Sequence, residues 1–208
     1  MSATNEKVSY VELITNGLLK ENPIFRLALS LCPAIAVTNN LKNGVFMGLA
    51  VVVVQVMVNL TISAMRSFIS PRIRLPIFML VISGWVTVVN LVMDAAVPDV
   101  YKDVGLYIQL IVAFASILAR AEMFASKNPV VPSAFDGIGQ GIGFFFALVV
   151  ISAFREVIGK GSIWGMDIFG TKPLLILILP AGGFFAVGIL MAAFNWFYEK
   201  FGAKSGAH

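Results

Sequence analysis

ALSLCPAIAVTNN, residues Ala28 to Asn40, carries the only cysteine of the chain, Cys32, directly before a proline. The apolar run that holds it, Leu27 to Thr38, has about a dozen residues and as a helix would rise about 18 Å, against about 30 Å of hydrocarbon in a bilayer. Ile108 to Ala119 is equally short. Four other uncharged runs are long enough to cross: Val45 to Met65, Leu75 to Met93, Gly137 to Phe154 and Pro173 to Tyr198. Short apolar helices also occur buried in soluble proteins, but a chain whose other segments span gives them no such home. The reading is a pair of half-helices or re-entrant segments whose exposed backbone ends must be covered by neighbours or by a cavity, since lipid offers no hydrogen bonds.

Composition agrees. Of 208 residues, 59% are hydrophobic and 12% charged, and the mean hydropathy is +0.90; soluble domains carry about 25% charged residues. This is an all-α integral membrane protein. MSATNEKVSYVELITNGLLKEN has no cleavage-site pattern and reads as a cytoplasmic leader or short surface helix. One cysteine excludes an internal disulfide, and one histidine, His208, excludes a histidine-rich metal site. The net charge of +4 belongs to basic loops rather than to nucleic-acid binding, because no basic patch with interleaved aromatics occurs.

An internal repeat organises the spans. ISAMRSFIS (Ile62 to Ser70) matches ISAFREVIG (Ile151 to Gly159), each at the end of a long helix that is second in its half. The alternative is chance similarity of two apolar helix ends. Short run, long helix, long helix therefore occurs twice. Three segments per unit make the second copy enter from the opposite side, giving six transmembrane segments as two inverted three-helix repeats, the first segment of each a short half-helix. The expected divisions are a leader over 1–22, repeats over 23–98 and 99–198, and a tail over 199–208. Lys7, Lys20, Arg26, Arg66, Arg72, Arg74, Arg120, Lys127, Lys200 and Lys204 fall on the side of the N-terminus. Lys42, Lys102, Arg155, Lys160 and Lys172 fall opposite, so both termini are expected in the cytoplasm.

The half-helices would place Cys32 and the stretch Phe114-Ala115-Ser116 near the midplane. A thiolate there suits a soft metal or an iron–sulfur centre; a free cysteine also packs as a small hydrophobe. Arg120 and Glu122, in ARAEMFASKNP, are either functional charges at membrane depth or markers of the interface. Two residues apart, they would not share a helix face and each needs its own partner. GIGQGIG (Gly137 to Gly143) lacks the lysine and the strand of a phosphate loop, so its glycines are read as a close helix-packing surface. Asp136 before it suits a helix N-cap. No Ser-His-Asp set, paired carboxylates or nucleotide fingerprint occurs, so no catalytic residue is assigned.

At LCPAIAVT, RAEMFASKNP, DGIGQGIGF and REVIGKGSIWG the sequence resembles the E-type membrane subunits of the Rnf ion-translocating electron-transport complexes, which are related to the D-type subunits of the sodium-translocating NADH:quinone reductase. The resemblance runs from about Asn22 to about Phe197; FASKNP and LPAGGFFAVGILMA favour the Rnf side. It implies two inverted three-helix repeats and a prokaryotic cell inner membrane location. It also implies pairing with a homologous membrane subunit of opposite orientation, the Rnf A-type, and association with Rnf subunits bearing flavin and iron–sulfur centres. Cysteines on the half-helices of the pair would hold a shared iron–sulfur cluster of the 2Fe–2S type. The implied work is electron relay coupled to Na+ or H+ movement between ferredoxin and NAD chemistry, as part of a translocase and without catalysis by this chain alone. Cys32 matches the first family cysteine. Ala115 stands at the second and cannot ligate iron; Ser116 beside it is a poor ligand. The cluster therefore has an odd fourth ligand or a different metal arrangement, or the chain is a redox-silent scaffold or ion-conducting paralogue. A free-standing secondary transporter also fits an inverted repeat, but neither short segment carries a midplane charge.

Overall fold

The computed structural model describes residues 22–160, 162–163, 166–167 and 179–202. The leader expected over 1–22, apart from its last residue, the start of the Pro173 to Tyr198 run and the end of the tail lie outside the described residues. Seven α-helices occur among them: α1 (Leu31–Val37), α2 (Leu41–Met65), α3 (Arg74–Ala96), α4 (Pro98–Gln109), α5 (Ala115–Arg120), α6 (Val130–Lys160) and α7 (Pro180–Gly202). A two-residue ladder, Ser162–Ile163 against Met166–Asp167, follows α6. Five helical stretches are long and apolar enough to cross a membrane: Leu41–Met65, Arg74–Ala96, Pro98–Ala125, Val130–Gly159 and Pro180–Lys200. The protein is helical and made for a bilayer.

Both short segments are present as broken helices. Before α1 the backbone turns through the left-handed region at Ala28 (φ 52°) and Ser30 (φ 59°), conformations that cost a non-glycine residue roughly 1–2 kcal/mol. Pro33 is harmless in the first turn of α1, where its missing N–H would have had no partner. The second break lies at Phe114, whose extended backbone (φ −67°, ψ 113°) separates a 3-10 turn, Leu110–Ala113, from α5. A π-helical turn, Ala121–Ala125, continues α5.

This second segment departs from the expected dozen residues. Ile108 to Ala119 is the centre of a broken rod running from Pro98 to Ala125. Asp99, Lys102 and Asp103 interrupt the apolar run and hid α4, an amphipathic helix that buries Val100, Val104 and Ile108. The run expected to start at Gly137 likewise begins at Val130, because Asp136 lies inside α6 rather than capping it.

The core lies between α2 and α6, the most closely packed pair of helices. They run antiparallel. Gly44 and Gly48 lie against Ser152 and Phe145, Val52 and Val56 against Gly141 and Gly137, and Ser63 against Asn128. The expected role of the glycine run is thus observed: a Cβ at Gly141 would stand 3.0 Å from the Cα of Val52, and one at Gly137 3.2 Å from that of Val56. The separation that relates Ile62 to Ile151 also relates the first residues of the two helices, Leu41 and Val130. Buried amides in this seam satisfy one another: Gln55 Nε2 donates to Asn59 Oδ1 (3.2 Å), and Asn59 Nδ2 donates to the Ser133 carbonyl (3.3 Å). Helices α3 and α7 flank the pair with apolar side chains turned outward, among them Leu80 and Phe185, three-quarters exposed.

Candidate functional site

The two breaks meet. Ser30 Oγ donates to Ser116 Oγ at 3.0 Å and accepts the Ser116 backbone N–H at 3.1 Å, so the left-handed turn before α1 is fastened to the first turn of α5. Cys32 lies two residues beyond Ser30, in the first turn of α1, and is exposed rather than packed inside the chain. Ala115 is exposed too, next to the buried Ser116. The residues singled out at the two short segments are thus gathered at one place.

A cavity of about 370 Å³ opens beside Cys32, with Ile35, Ala36, Asn39, Tyr107, Arg155, Pro180 and Phe184 in its wall. Arg155 was expected among loop charges at the membrane edge. It lies instead within α6 and is 1% exposed. Its Nη1 donates to the Ile35 carbonyl at 2.6 Å and to Thr38 Oγ1 at 2.8 Å, at the C-terminal end of α1. Thr38 Oγ1 in turn donates to the Ala34 carbonyl at 2.5 Å. The last carbonyls of a helix have no intrahelical partner, and a buried cation needs acceptors, so the two requirements are met together. Glu156, the next residue, takes the N–H of Leu41 at the start of α2 at 2.5 Å.

Arg120 and Glu122 do not pair with each other, as their spacing requires. Arg120 Nη2 reaches Asp136 Oδ1 at 2.5 Å, with the carboxylate side chain fully buried. Glu122 Oε1 lies 3.6 Å from Arg74 Nη1 in a half-open setting. The first contact explains why Asp136 is tolerated inside a spanning helix: its charge is matched across the gap between α5 and α6.

For an iron–sulfur cluster, this chain offers one thiol. Ala115 supplies no donor, the Ser116 hydroxyl is engaged with Ser30, and among the described residues no three His, Cys, Asp or Glu side chains converge on a metal position. The residues do not fit a four-thiolate cluster on their own, and a shared one would need its other donors from outside this chain.

Sequence reading missed Arg155, Asp136 and Ser30 as parts of this site. The signal for Arg155 was there, since it aligns with Arg66 in the repeated ISA-x-R pattern; for Asp136 and Ser30, nothing local pointed to their partners.

Comparison with known proteins agrees with this architecture. Residues 10–191 match the family model described as "Rnf-Nqr subunit, membrane protein". The chain is 49% identical over 193 residues to the E component of the proton-translocating ferredoxin:NAD(+) oxidoreductase complex of Clostridium ljungdahlii, covering 90% of this chain and 91% of that one. It is 42% identical over 195 residues to the E component of the Na(+)-translocating ferredoxin:NAD(+) oxidoreductase complex of Acetobacterium woodii, covering 93% and 100%. With the E component of the ion-translocating oxidoreductase complex of Rhodobacter capsulatus the identity is 44% over 199 residues, covering 88% and 82%. This chain belongs to the Rnf-Nqr family of membrane subunits.

Proposed function

We propose that this chain is a membrane component of a redox-driven ion pump of the Rnf type, working between ferredoxin and NAD chemistry and moving Na+ or H+. Its similarity over nearly full length to relatives named as the E component of such complexes supports the assignment. We further propose that Cys32 is the one metal ligand the chain contributes to an iron–sulfur centre shared with a homologous subunit of opposite orientation. The observation that carries this reading is the exposed Cys32 thiol beside the junction of the two broken segments. A thiol turned out of its own chain suits a site completed across an interface. The antiparallel run of α2 and α6, each following a broken segment, supports the inverted pair of three-segment repeats and the divisions 23–98 and 99–198. The proposed setting is the prokaryotic inner membrane with both termini cytoplasmic, although buried Arg155 drops out of the loop-charge balance.

The specific observation for a second reading is Ala115. A chain that lost a ligand at one break would serve as a redox-silent scaffold or ion-conducting component of the same complex. Iron content and the electron paramagnetic resonance spectrum of the purified complex, wild type against Cys32→Ala, decide between the two. Loss of a reducible iron signal in the variant, with assembly intact, supports the ligand role. A signal unchanged by the substitution removes Cys32 from the ligand set and favours the scaffold.

A further inference from the structure

The repeated segments ISAMRSFIS and ISAFREVIG do corresponding work at two places. At the end of α6, Arg155 holds the Ile35 carbonyl and Thr38 Oγ1, where α1 stops. At the end of α2, Ser63 Oγ donates to the Asn128 carbonyl (2.7 Å) and Arg66 Nη1 to the Lys127 carbonyl (3.4 Å), in the turn that ends the α5 and π-helical segment. We propose that Arg155 is the positioning residue of Cys32, and that Ser63 and Arg66 do the same for the second broken segment, so that each half of the chain ties down the broken helix of the other. The inference deepens the reading above, on which its importance for the metal site rests.

Helix α1 cannot hold its own place. Seven residues are far below the length at which an isolated helix is stable. Its N-terminal side is fastened through Ser30 to Ser116, and at its C-terminal side Arg155 is the group that holds it. The guanidinium is itself enclosed: a Cβ on Gly183 of α7 would stand 2.8 Å from Ile35 Cγ2 and 3.1 Å from Arg155 Cζ. Helix α7 thus closes over both the clamp and the helix it grips. Arg155 and Cys32 line the same cavity, and α1 is only seven residues long, so movement of one end of α1 is movement of the thiol.

The test uses the full-length chain in membranes and the rate at which a small permeant maleimide labels a single cysteine. One background keeps Cys32; the other carries Cys32→Ser with Ala115→Cys. Arg155→Gln should change labelling of Cys32 by about tenfold or more, in keeping with the loss of charge-assisted hydrogen bonds, and leave position 115 within about twofold. Arg66→Gln should do the reverse. General loosening cannot produce that crossed pattern, so equal effects at both positions, or none at either, overturn the proposal. Should Arg155→Gln fail to accumulate, Thr38→Val removes one acceptor of the clamp while keeping the guanidinium; a several-fold change at Cys32 is expected, and an unchanged rate refutes the clamp. The iron measurement is separate: a wild-type complex with no iron signal assignable to this chain would sink the redox reading while the labelling result still decides the clamp.

Discussion

Ser30 and Ser116 face each other hydroxyl to hydroxyl at 3.0 Å, and the Ser116 N–H donates to the same Ser30 oxygen at 3.1 Å. Two interrupted helices that are far apart in sequence thus share one oxygen atom as their joint. Ser30 also sits in the left-handed region (φ 59°), so its side chain and its backbone pull in opposite energetic directions.

Replacing Ser30 by alanine removes the acceptor for a buried N–H and keeps the unfavourable backbone. It is expected to destabilise the protein by about 1–3 kcal/mol. Ser30→Gly loses the same acceptor but relieves the left-handed strain, and should retain about 1 kcal/mol more than the alanine variant. Thermal unfolding of both variants in detergent checks the order; equal losses would show that the strain is not felt.

The Arg120–Asp136 pair offers a sharper contrast, because the carboxylate side chain has no solvent exposure. Asp136→Ala removes the carboxylate that the Arg120 guanidinium meets and should cost about 3–5 kcal/mol, seen as poor membrane yield. The double variant Arg120→Met, Asp136→Leu should recover much of that yield, since an apolar pair of similar volume replaces the ions. Failure of the double variant to improve on Asp136→Ala would mean the pair does more than neutralise itself.

Glycine positions in the seam between α2 and α6 can be set against one outside it. Gly141→Ala places a methyl group against the Val52 backbone, which cannot swing away, and should cost about 1–3 kcal/mol. At Gly84, in α3, a Cβ meets nothing within 4 Å, so Gly84→Ala should be neutral or stabilise by about 0.5–1 kcal/mol. Melting temperatures of the two variants in one detergent read the difference directly.

Ala115→Cys tests the metal reading from the other side. Because Ala115 is exposed at the break next to the Ser30–Ser116 joint, a thiol there should raise the iron content of the assembled complex above that of wild type. Iron per complex, measured with and without Cys32→Ala, checks it. No gain in either background would place the position away from the metal.

The elements were legible where the governing physics is local. The long spans showed as uncharged runs matched to bilayer thickness, and the break at LCPA showed as a run too short to cross. Reading failed where a charge is paid for by a distant partner. Asp136 looked like a helix boundary because a carboxylate inside a span is costly; it is interior because Arg120 meets it. Helix α4 was missed for a different reason: Asp99, Lys102 and Asp103 lie exposed on its outer face and interrupt an otherwise apolar stretch.

The sequence by itself determined that this chain lives in a membrane, where its uncharged spanning helices run and where two of its segments are broken. Those features depend on hydrophobicity and backbone preference over a dozen or two neighbouring residues. Only the tertiary structure decided that Arg155 is buried at the foot of α1, that Asp136 answers Arg120, and that Cys32 is exposed beside the joint of the two breaks. Each is a contact, or an exposure, set by how α2 and α6 approach across their glycines and by which faces that approach leaves open. Such faces are fixed by side chains separated by scores of residues, and no local pattern encodes them.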